Sequence, residues 1–336
     1  MTPFAYSKPA AIDEAVRLAG PDSLFIAGGT NLVDLLKENL VRPKRLIDIN
    51  ALPLRDVTAT ADGGLRIGAL VGNAELAWHP EIERRYPLLA QALLSGASPQ
   101  VRNMASAGGN LLQRTRCHYF YDAQVPCNKR EPGSGCPARE GLNRNHALFG
   151  ASEHCVAVHP SDFCVALAAL DAQVLITGPQ GERRVPMSDF HRLPGDTPQR
   201  DTVLEAGELI LAIELPAAGF AGHHAYLKLR DRASFAFALV SVAAALELDE
   251  GGQIRQARIA LGGVAHKPWR RADVEASLVG QPATPEHFAA AAELLLKDAQ
   301  PLAHNAFKVE LARRAVVRAL TLSLIHISEP TRQEAI

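Results

Sequence analysis

Residues 109–155 restrict most strongly what this chain can become. The stretch GNLLQRTRCHYFYDAQVPCNKREPGSGCPARE and its continuation show neither a period of 2 nor one of 3.6. They also hold Pro126, Pro132, Gly133, Gly135, Pro137 and Gly141. A segment this long without a regular pattern, inside a compact domain, is usually functional or held by something other than an apolar core. Four of the chain's five cysteines lie in it, Cys117, Cys127, Cys136 and Cys155, spaced C-x9-C-x8-C-x18-C. Thiolates bind zinc and iron–sulfur clusters well. The tight C-x2–4-C knuckles common in structural zinc sites are missing, and widely spaced ligands from a long loop suit a cubane cluster better. Between Arg114 and Arg144 there are six Lys or Arg and three Asp or Glu, a balance that favours a negatively charged four-thiolate cluster. Zinc and four unrelated reduced cysteines, each a small hydrophobe, stay open as competing readings. Cys164, on the apolar face of a helix, reads as core.

The remaining composition excludes several classes. Of 336 residues, 47% are hydrophobic and 21% charged, which fits two packed domains, or one with an insertion, and not a disordered chain. A net charge of −1 offers no global field for nucleic acid or a membrane surface. With 5% aromatic residues, base-stacking platforms are not expected. The start, MTPFAYSKPAAIDEAVRLAG, has no apolar core behind positive charge, so neither a signal peptide nor a transmembrane helix is expected. Folding in the cytoplasm keeps thiols reduced, which weighs against a disulfide framework and toward metal binding.

Short strands and helices alternate first. Pro9 to Ala19 reads as a helix, with Ser7 near its start and Gly20 past its end. LFIAGG is a strand, TNLVDLLKENL a helix capped by Thr30 or Asn31, and RLIDI a strand, an order that suggests a small parallel sheet. GGLRIGAL is a strand, NAELAWH a capped short helix and YPLLAQALLSGA a helix. PSDFCVALAAL is helical, with Ser161 as N-cap and Phe163, Cys164, Leu167 and Leu170 on its buried side. ELILAIELP follows a loop near 192–200. After a boundary between Pro216 and Gly222, HHAYLKLR, FALVSVAAALEL and IRQARIALGGV read as strands. Helices are expected near 270–278, 285–297 and 305–321. The stretch SLIHISEPTRQEAI, 323–336, breaks the pattern and reads as a non-native tail.

Two glycine turns could approach an anion closely. FIAGGTNLVD, 25–34, is a strand, a glycine turn and a helix start, where backbone N–H groups and the helix dipole favour negative charge. It is neither a spaced G-x-G-x-x-G fingerprint nor a P-loop, and many strand-to-helix turns use two glycines structurally. MASAGGNLLQR, 104–114, offers Ser106 and Asn110 in a second turn, and the two could clasp a pyrophosphate from both sides. HPSD, 159–162, is a local N-cap with an acidic first turn, or it sets Asp162 on a ribose or similar diol. Lys228 sits mid-strand, facing either solvent or an anionic cofactor edge. His154 and His159 read as structural histidines, and no convincing acid/base pair is evident.

FIAGGTNL, ASAGGN, HPSD, GELILAIELP, YLKLRDRASFAFALVSVAAAL and GGVAHKPWR, in this order over about residues 3–321, resemble the FAD-binding subunits of the xanthine dehydrogenase/molybdenum hydroxylase family. The cysteine insert, NLLQRTRC…PCNKR-PGSGC, resembles those members that carry FAD and a [4Fe-4S] cluster in bacterial periplasmic aldehyde oxidoreductases. The resemblance implies an α+β fold. A two-lobed FAD-binding domain of the vanillyl-alcohol oxidase (PCMH) type would span 1–217, with a cluster-binding insertion at 110–156. A C-terminal α+β domain like that of the CO dehydrogenase flavoprotein would span 222–322. It implies that Leu24, Phe25, Ile26, Ala27, Gly28, Gly29, Thr30, Asn31 and Leu32 line the FAD pyrophosphate, with Ser106, Gly108, Gly109 and Asn110 approaching from the other lobe. Asp162 would hold the ribose or ribityl part, Ile210 would pack by the adenine and Lys228 would approach the isoalloxazine. Cys117, Cys127, Cys136 and Cys155 would ligate one [4Fe-4S] cluster.

The implied partners are a [2Fe-2S] subunit and a large molybdenum-cofactor subunit. Aldehyde would be oxidised at molybdenum, and electrons would leave through this chain's FAD to an external acceptor. Export would need a signal on a partner. No separate NAD site is evident. The competing function is a nucleotide-binding scaffold whose four cysteines hold a structural zinc, and the presence or absence of a flavin spectrum separates the two.

Overall fold

The computed structural model describes residues 1–325. Three sheets organise these residues. The first holds β1 (Ala5–Ser7), β2 (Ser23–Ile26) and β3 (Arg45–Asp48) in the order β1-β3-β2, all parallel. The expected parallel pair is there, widened by β1. Ser7, expected near a helix start, lies in that strand, and the first helix is Ile12–Leu18. β2 is an edge strand, so the glycine turn that follows it opens onto a free side of the sheet.

The second sheet holds β4 (Val57–Ala59), β5 (Leu65–Gly68), β6 (Gln173–Gly178), β7 (Gly181–Pro186) and β8 (Leu209–Leu215), in the order β4-β5-β8-β6-β7. Its pairs are antiparallel. The β6–β7 hairpin is absent from the sequence expectations, although Gly181 supplies the left-handed turn residue, φ +98°. The third sheet holds β9 (His223–Leu229), β10 (Val240–Leu248), β11 (Ile254–Gly262) and β12 (Trp269–Arg270) as an antiparallel meander. Helices Ala272–Leu278, Pro285–Leu296 and Phe307–Ser323 close the chain, near the expected spans. No helix among the described residues is long and apolar enough to cross a membrane.

Helix Asp162–Ala169 carries more than the expected apolar face, because all eight of its residues are buried. It packs against helix Pro87–Ser95 on one side and against β10 and β11 on the other. A helix enclosed on both sides cannot show an amphipathic stripe. The last helix runs through Ser323, past the expected start of a foreign tail at 323. Ser323 is buried, its hydroxyl donates to Leu320 O, and its carbonyl meets His223 Nδ1 at 3.2 Å. The rest of the tail expectation, 326–336, lies outside the described residues.

Two expected caps take other forms. Asn31 occupies the N-cap position of Leu32–Lys37, but its side chain makes no cap. Its Oδ1 accepts from Arg114 N at 2.8 Å and its Nδ2 donates to Tyr121 Oη at 3.2 Å, which fastens the first glycine turn to the cysteine loop. Helix Asn73–Ala77 starts after Gly72, which has no side chain to cap it.

Candidate functional site: a glycine-walled cleft beside a four-cysteine loop

A cleft of about 1230 Å³ opens between the first two sheets, larger than the 300–1,000 Å³ usual for drug-sized ligands. Every residue named for the cofactor from sequence lines it, from Leu24 through Leu32, Ser106, Gly108, Gly109 and Asn110 to Asp162, Ile210 and Lys228. Lys228 comes from β9 of the third sheet, and the exposed Phe235 and Phe237 come from the loop between β9 and β10.

The first turn is fitted to an anion. Among the described residues, the N–H groups of Gly28, Gly29 and Thr30 donate to no backbone acceptor, which leaves them for a ligand. Gly29 has φ +69°, and a Cβ on Gly28 would lie 1.7 Å from Met104 O. Only glycine lets the two lobes meet this closely. The second turn contributes differently. Ser106 Oγ caps its own short helix by accepting from Gly109 N at 3.3 Å, and Gly108 N donates to Ala69 O. Asn110 Oδ1 accepts from Ser161 Oγ at 2.7 Å and Gln113 Nε2 at 2.6 Å. That anchoring leaves the Asn110 Nδ2 as a donor from this turn.

Asp162 and Lys228 are joined on the cleft wall. Lys228 Nζ lies 2.7 Å from Asp162 Oδ2 and 3.0 Å from Ser95 O. Tyr226 Oη donates to Asp162 Oδ1 at 2.7 Å. Burial and the Asp162 carboxylate push the Tyr226 hydroxyl well above its ordinary range. Lys228 therefore does not face solvent, and Ser161 caps the helix through Cys164 N at 3.1 Å. Sequence reasoning missed Tyr226, although strand alternation sets it on the face of β9 that carries Lys228.

Besides its own turns, the cysteine loop is held by side chains bonding to backbone. Arg130 donates to Tyr119 O, Phe120 O and Val125 O. Asn128 and Gly135 exchange two bonds of 2.8 Å, and Cys127 N donates to Ser134 Oγ. Lys129, almost wholly buried, reaches Asp201 Oδ1 and Pro198 O, and Arg114 Nε binds Asp201 Oδ2 at 2.7 Å. Burial alone would raise the Asp201 carboxyl, but Arg114 and Lys129 hold it well below the usual range. The basic residues expected to attract a negative cluster are thus engaged elsewhere: Arg139 with Ser152 O, Arg144 with Asp231, and Arg116 with Tyr121 Oη. The irregular segment forms because these bonds replace helix and sheet ladders.

Cys127 and Cys155 are buried and Cys117 and Cys136 half-buried, all of them free thiols. The neighbouring Cys155 thiol draws Cys136 down to about 7. Burial pushes the Cys117 thiol up to about 11. Cys117 Sγ meets His146 Nε2 at 3.1 Å, and Cys155 Sγ meets His266 Nε2 at 3.3 Å. Burial lowers His146 to about 4, so its imidazole is neutral. Sequence reasoning missed both histidines, which lie far from their cysteines along the chain.

One ion in a tetrahedral thiolate site at about 2.3 Å would hold its sulfurs about 3.8 Å apart. Among the described residues, the one group of three metal-type ligands within 4.8 Å of one another is His159, Cys164 and His191, not the loop cysteines. Among the described residues no three of the loop thiols lie that close together, and four thiolate donors on one loop suit a cluster with separated corners. The His159 group fits an ion poorly. Imidazoles sharing a tetrahedral ion at about 2.0–2.1 Å would hold their ring centres about 5 Å apart, whereas these lie 4.1 Å apart. They form a packed histidine pair, and Cys164 is core.

The fold and cleft define a two-lobed binder of a large phosphate-bearing cofactor with a thiol-rich loop beside it. Residues 2–218 match the FAD binding domain in molybdopterin dehydrogenase, and residues 224–322 match the CO dehydrogenase flavoprotein C-terminal domain. The chain is 50% identical to the aldehyde oxidoreductase FAD-binding subunit PaoB of Escherichia coli (strain K12), over 95% of this chain and 98% of that protein. It is 28% identical to the carbon monoxide dehydrogenase medium chain of Hydrogenophaga pseudoflava, over 94% and 96% of the two chains. A solved carbon monoxide dehydrogenase of that organism, lacking the Mo-pyranopterin moiety of the molybdenum cofactor, superposes with TM-score 0.74 at 29% identity, covering 95% of this chain and 96% of that one. Quinoline 2-oxidoreductase from Pseudomonas putida 86 gives TM-score 0.72 at 27% identity, covering 96% and 97%. The chain belongs to the FAD-binding oxidoreductase subunits of the molybdopterin dehydrogenase family, the xanthine dehydrogenase and molybdenum hydroxylase relatives.

Proposed function

We propose that the chain is the FAD- and [4Fe-4S]-carrying electron-transfer subunit of a molybdenum-dependent aldehyde oxidoreductase. Its partners are a [2Fe-2S] subunit and a large molybdenum-cofactor subunit, where the aldehyde is oxidised. Residues 1–217 form the flavin-binding domain, 110–156 the cluster-binding insertion and 222–322 the C-terminal domain. The observation that carries the reading is the union of all the glycine-turn, Asp162, Ile210 and Lys228 candidates along one cleft beside a loop with four free thiols. The 50% identity to an aldehyde oxidoreductase subunit supports the substrate class.

Each residue has a task in this reading. The N–H groups of Gly28, Gly29 and Thr30 orient the pyrophosphate, and Asn110 Nδ2 meets it from the second lobe. Asp162, held by Tyr226 and Lys228, presents a fixed carboxylate to a hydroxyl-bearing part of the cofactor. Ile210 supplies apolar wall, and Phe235 and Phe237 add apolar surface from the loop after β9. FAD supplies the ability to take electrons singly and release them in pairs.

The test is iron, labile sulfide and an electronic spectrum on anaerobically purified protein and on a Cys127→Ser variant. The expected result is about four iron per flavin, with iron falling in the variant. Zinc in place of iron would remove the cluster, and protein with neither iron nor flavin would defeat the whole assignment.

A further inference from the structure

We propose that His146 and His266 are N–H···S donors to Cys117 and Cys155 that raise the reduction potential of a cluster bound by the loop. The proposal rests on the reading that the four cysteines ligate a [4Fe-4S] cluster. Two observations carry it together. Each Nε2 stands within hydrogen-bonding distance of a cysteine sulfur, 3.1 Å for His146 and 3.3 Å for His266. Both rings are buried, and among the described residues each Nδ1 is buried without a partner.

That pattern selects one tautomer. A sulfur bound to iron carries no proton and can only accept. A proton on Nδ1 would be an orphaned buried donor and would turn a nitrogen lone pair toward the sulfur's own lone pairs. A proton on Nε2 leaves Nδ1 a bare acceptor, less costly than an orphaned donor, ends the lone-pair opposition and aims an N–H dipole at the sulfur. The same bond fixes each cysteine rotamer, as outer-shell partners do at metal sites generally.

The two donors approach from different parts of the fold. His146 belongs to the cysteine loop, and its carbonyl is clamped by Asn305 Nδ2 at 3.1 Å and Lys308 Nζ at 2.9 Å, both buried residues near the last helix. His266 follows β11. Its neighbour Ala265 accepts from His159 N at 2.9 Å, and Val264 O accepts from Leu148 N at 2.8 Å. Both rings are therefore fixed by backbone that the third sheet and the last helix hold in place. Uptake of one electron adds one negative charge to the thiolate-ligated centre, and no proton moves. An N–H directed at sulfur stabilises that reduced state more than the oxidised one, so the potential rises.

The experiment uses the full chain, purified anaerobically, with His146→Phe and His266→Phe, which keep a ring and remove the donor. Iron and flavin are measured first, then the cluster's midpoint potential in a dye-mediated titration followed by EPR. The expected result is unchanged iron, a lower potential in each variant and a still lower one in the double variant. Unchanged potentials with iron retained would overturn the histidine roles and leave the cluster reading standing. Absence of iron and sulfide from the unaltered protein would sink both. Should either variant fail to assemble, ¹⁵N-histidine labelling of the unaltered protein decides. Pulsed EPR of the reduced cluster should show a weak nitrogen coupling and a proton coupling that disappears in D₂O. No coupling, or one as strong as a direct iron–nitrogen bond, would reject the proposal.

Discussion

Lys228 Nζ lies 2.7 Å from Asp162 Oδ2 on the cleft wall, with the two side chains only 5% and 8% exposed. Neither charge is well solvated, so each depends on the other and on Tyr226 and Ser95. Removing one partner strands the other. Asp162→Asn should cost about 3–5 kcal/mol of unfolding free energy, read by chemical denaturation. The double change Asp162→Asn with Lys228→Met should recover part of that loss. A double variant whose loss equals the sum of the two single losses would show that the pair is not coupled.

Gly28→Ala should reduce flavin retention sharply, because the new methyl would overlap Met104 O at 1.7 Å and force the two lobes apart. Gly29→Ala should be milder, about 1–2 kcal/mol for a left-handed non-glycine residue, since the obstacle there is φ +69° and a movable Val33 side chain. Flavin absorbance per polypeptide after gel filtration ranks the two, and equal retention would contradict the steric account.

Asp201 should give the protein an acid-sensitive component. Its folded carboxyl lies below its unfolded value because Arg114 and Lys129 outweigh burial. Between those two values the unfolded state binds the extra proton, so stability falls as pH falls. The contribution is fully present above the unfolded carboxylate range, about pH 4, and is lost progressively below it. Asp201→Asn should flatten stability against pH in that acid window. It should also cost about 3 kcal/mol at neutral pH by leaving Lys129 buried with only Pro198 O. An unchanged acid slope in the variant would rule out this origin.

The five cysteines should divide four to one. Ser substitution at Cys117, Cys127, Cys136 or Cys155 should lower iron content. Cys164→Ala should leave iron unchanged and cost about 1 kcal/mol of stability, the loss of one small buried group. Iron loss from Cys164→Ala, or none from any loop variant, would move the ligand set elsewhere.

The glycine turns, the Ser161 cap, and the meander and closing helices were legible in the sequence. These depend on interactions between near neighbours: left-handed backbone at Gly29, a hydroxyl three residues from the amide it caps, alternation along β9 and β10. The β6–β7 hairpin is equally local, turned at Gly181. The destinations of charges and rings were not legible. Lys129 and Arg114 look like cluster counter-charges, yet both bind Asp201. Asn31 looks like a cap, yet it ties the glycine turn to Tyr121 and Arg114. Cys155 pairs with His266 across 111 positions, and Tyr226 meets Asp162 across 64. Periodicity and capping are properties of a few consecutive residues, so sequence alone determined which turns and elements form. Burial and hydrogen-bond partners arise where distant segments pack, so only the tertiary structure decided which charges pair and which rings stand against the thiols.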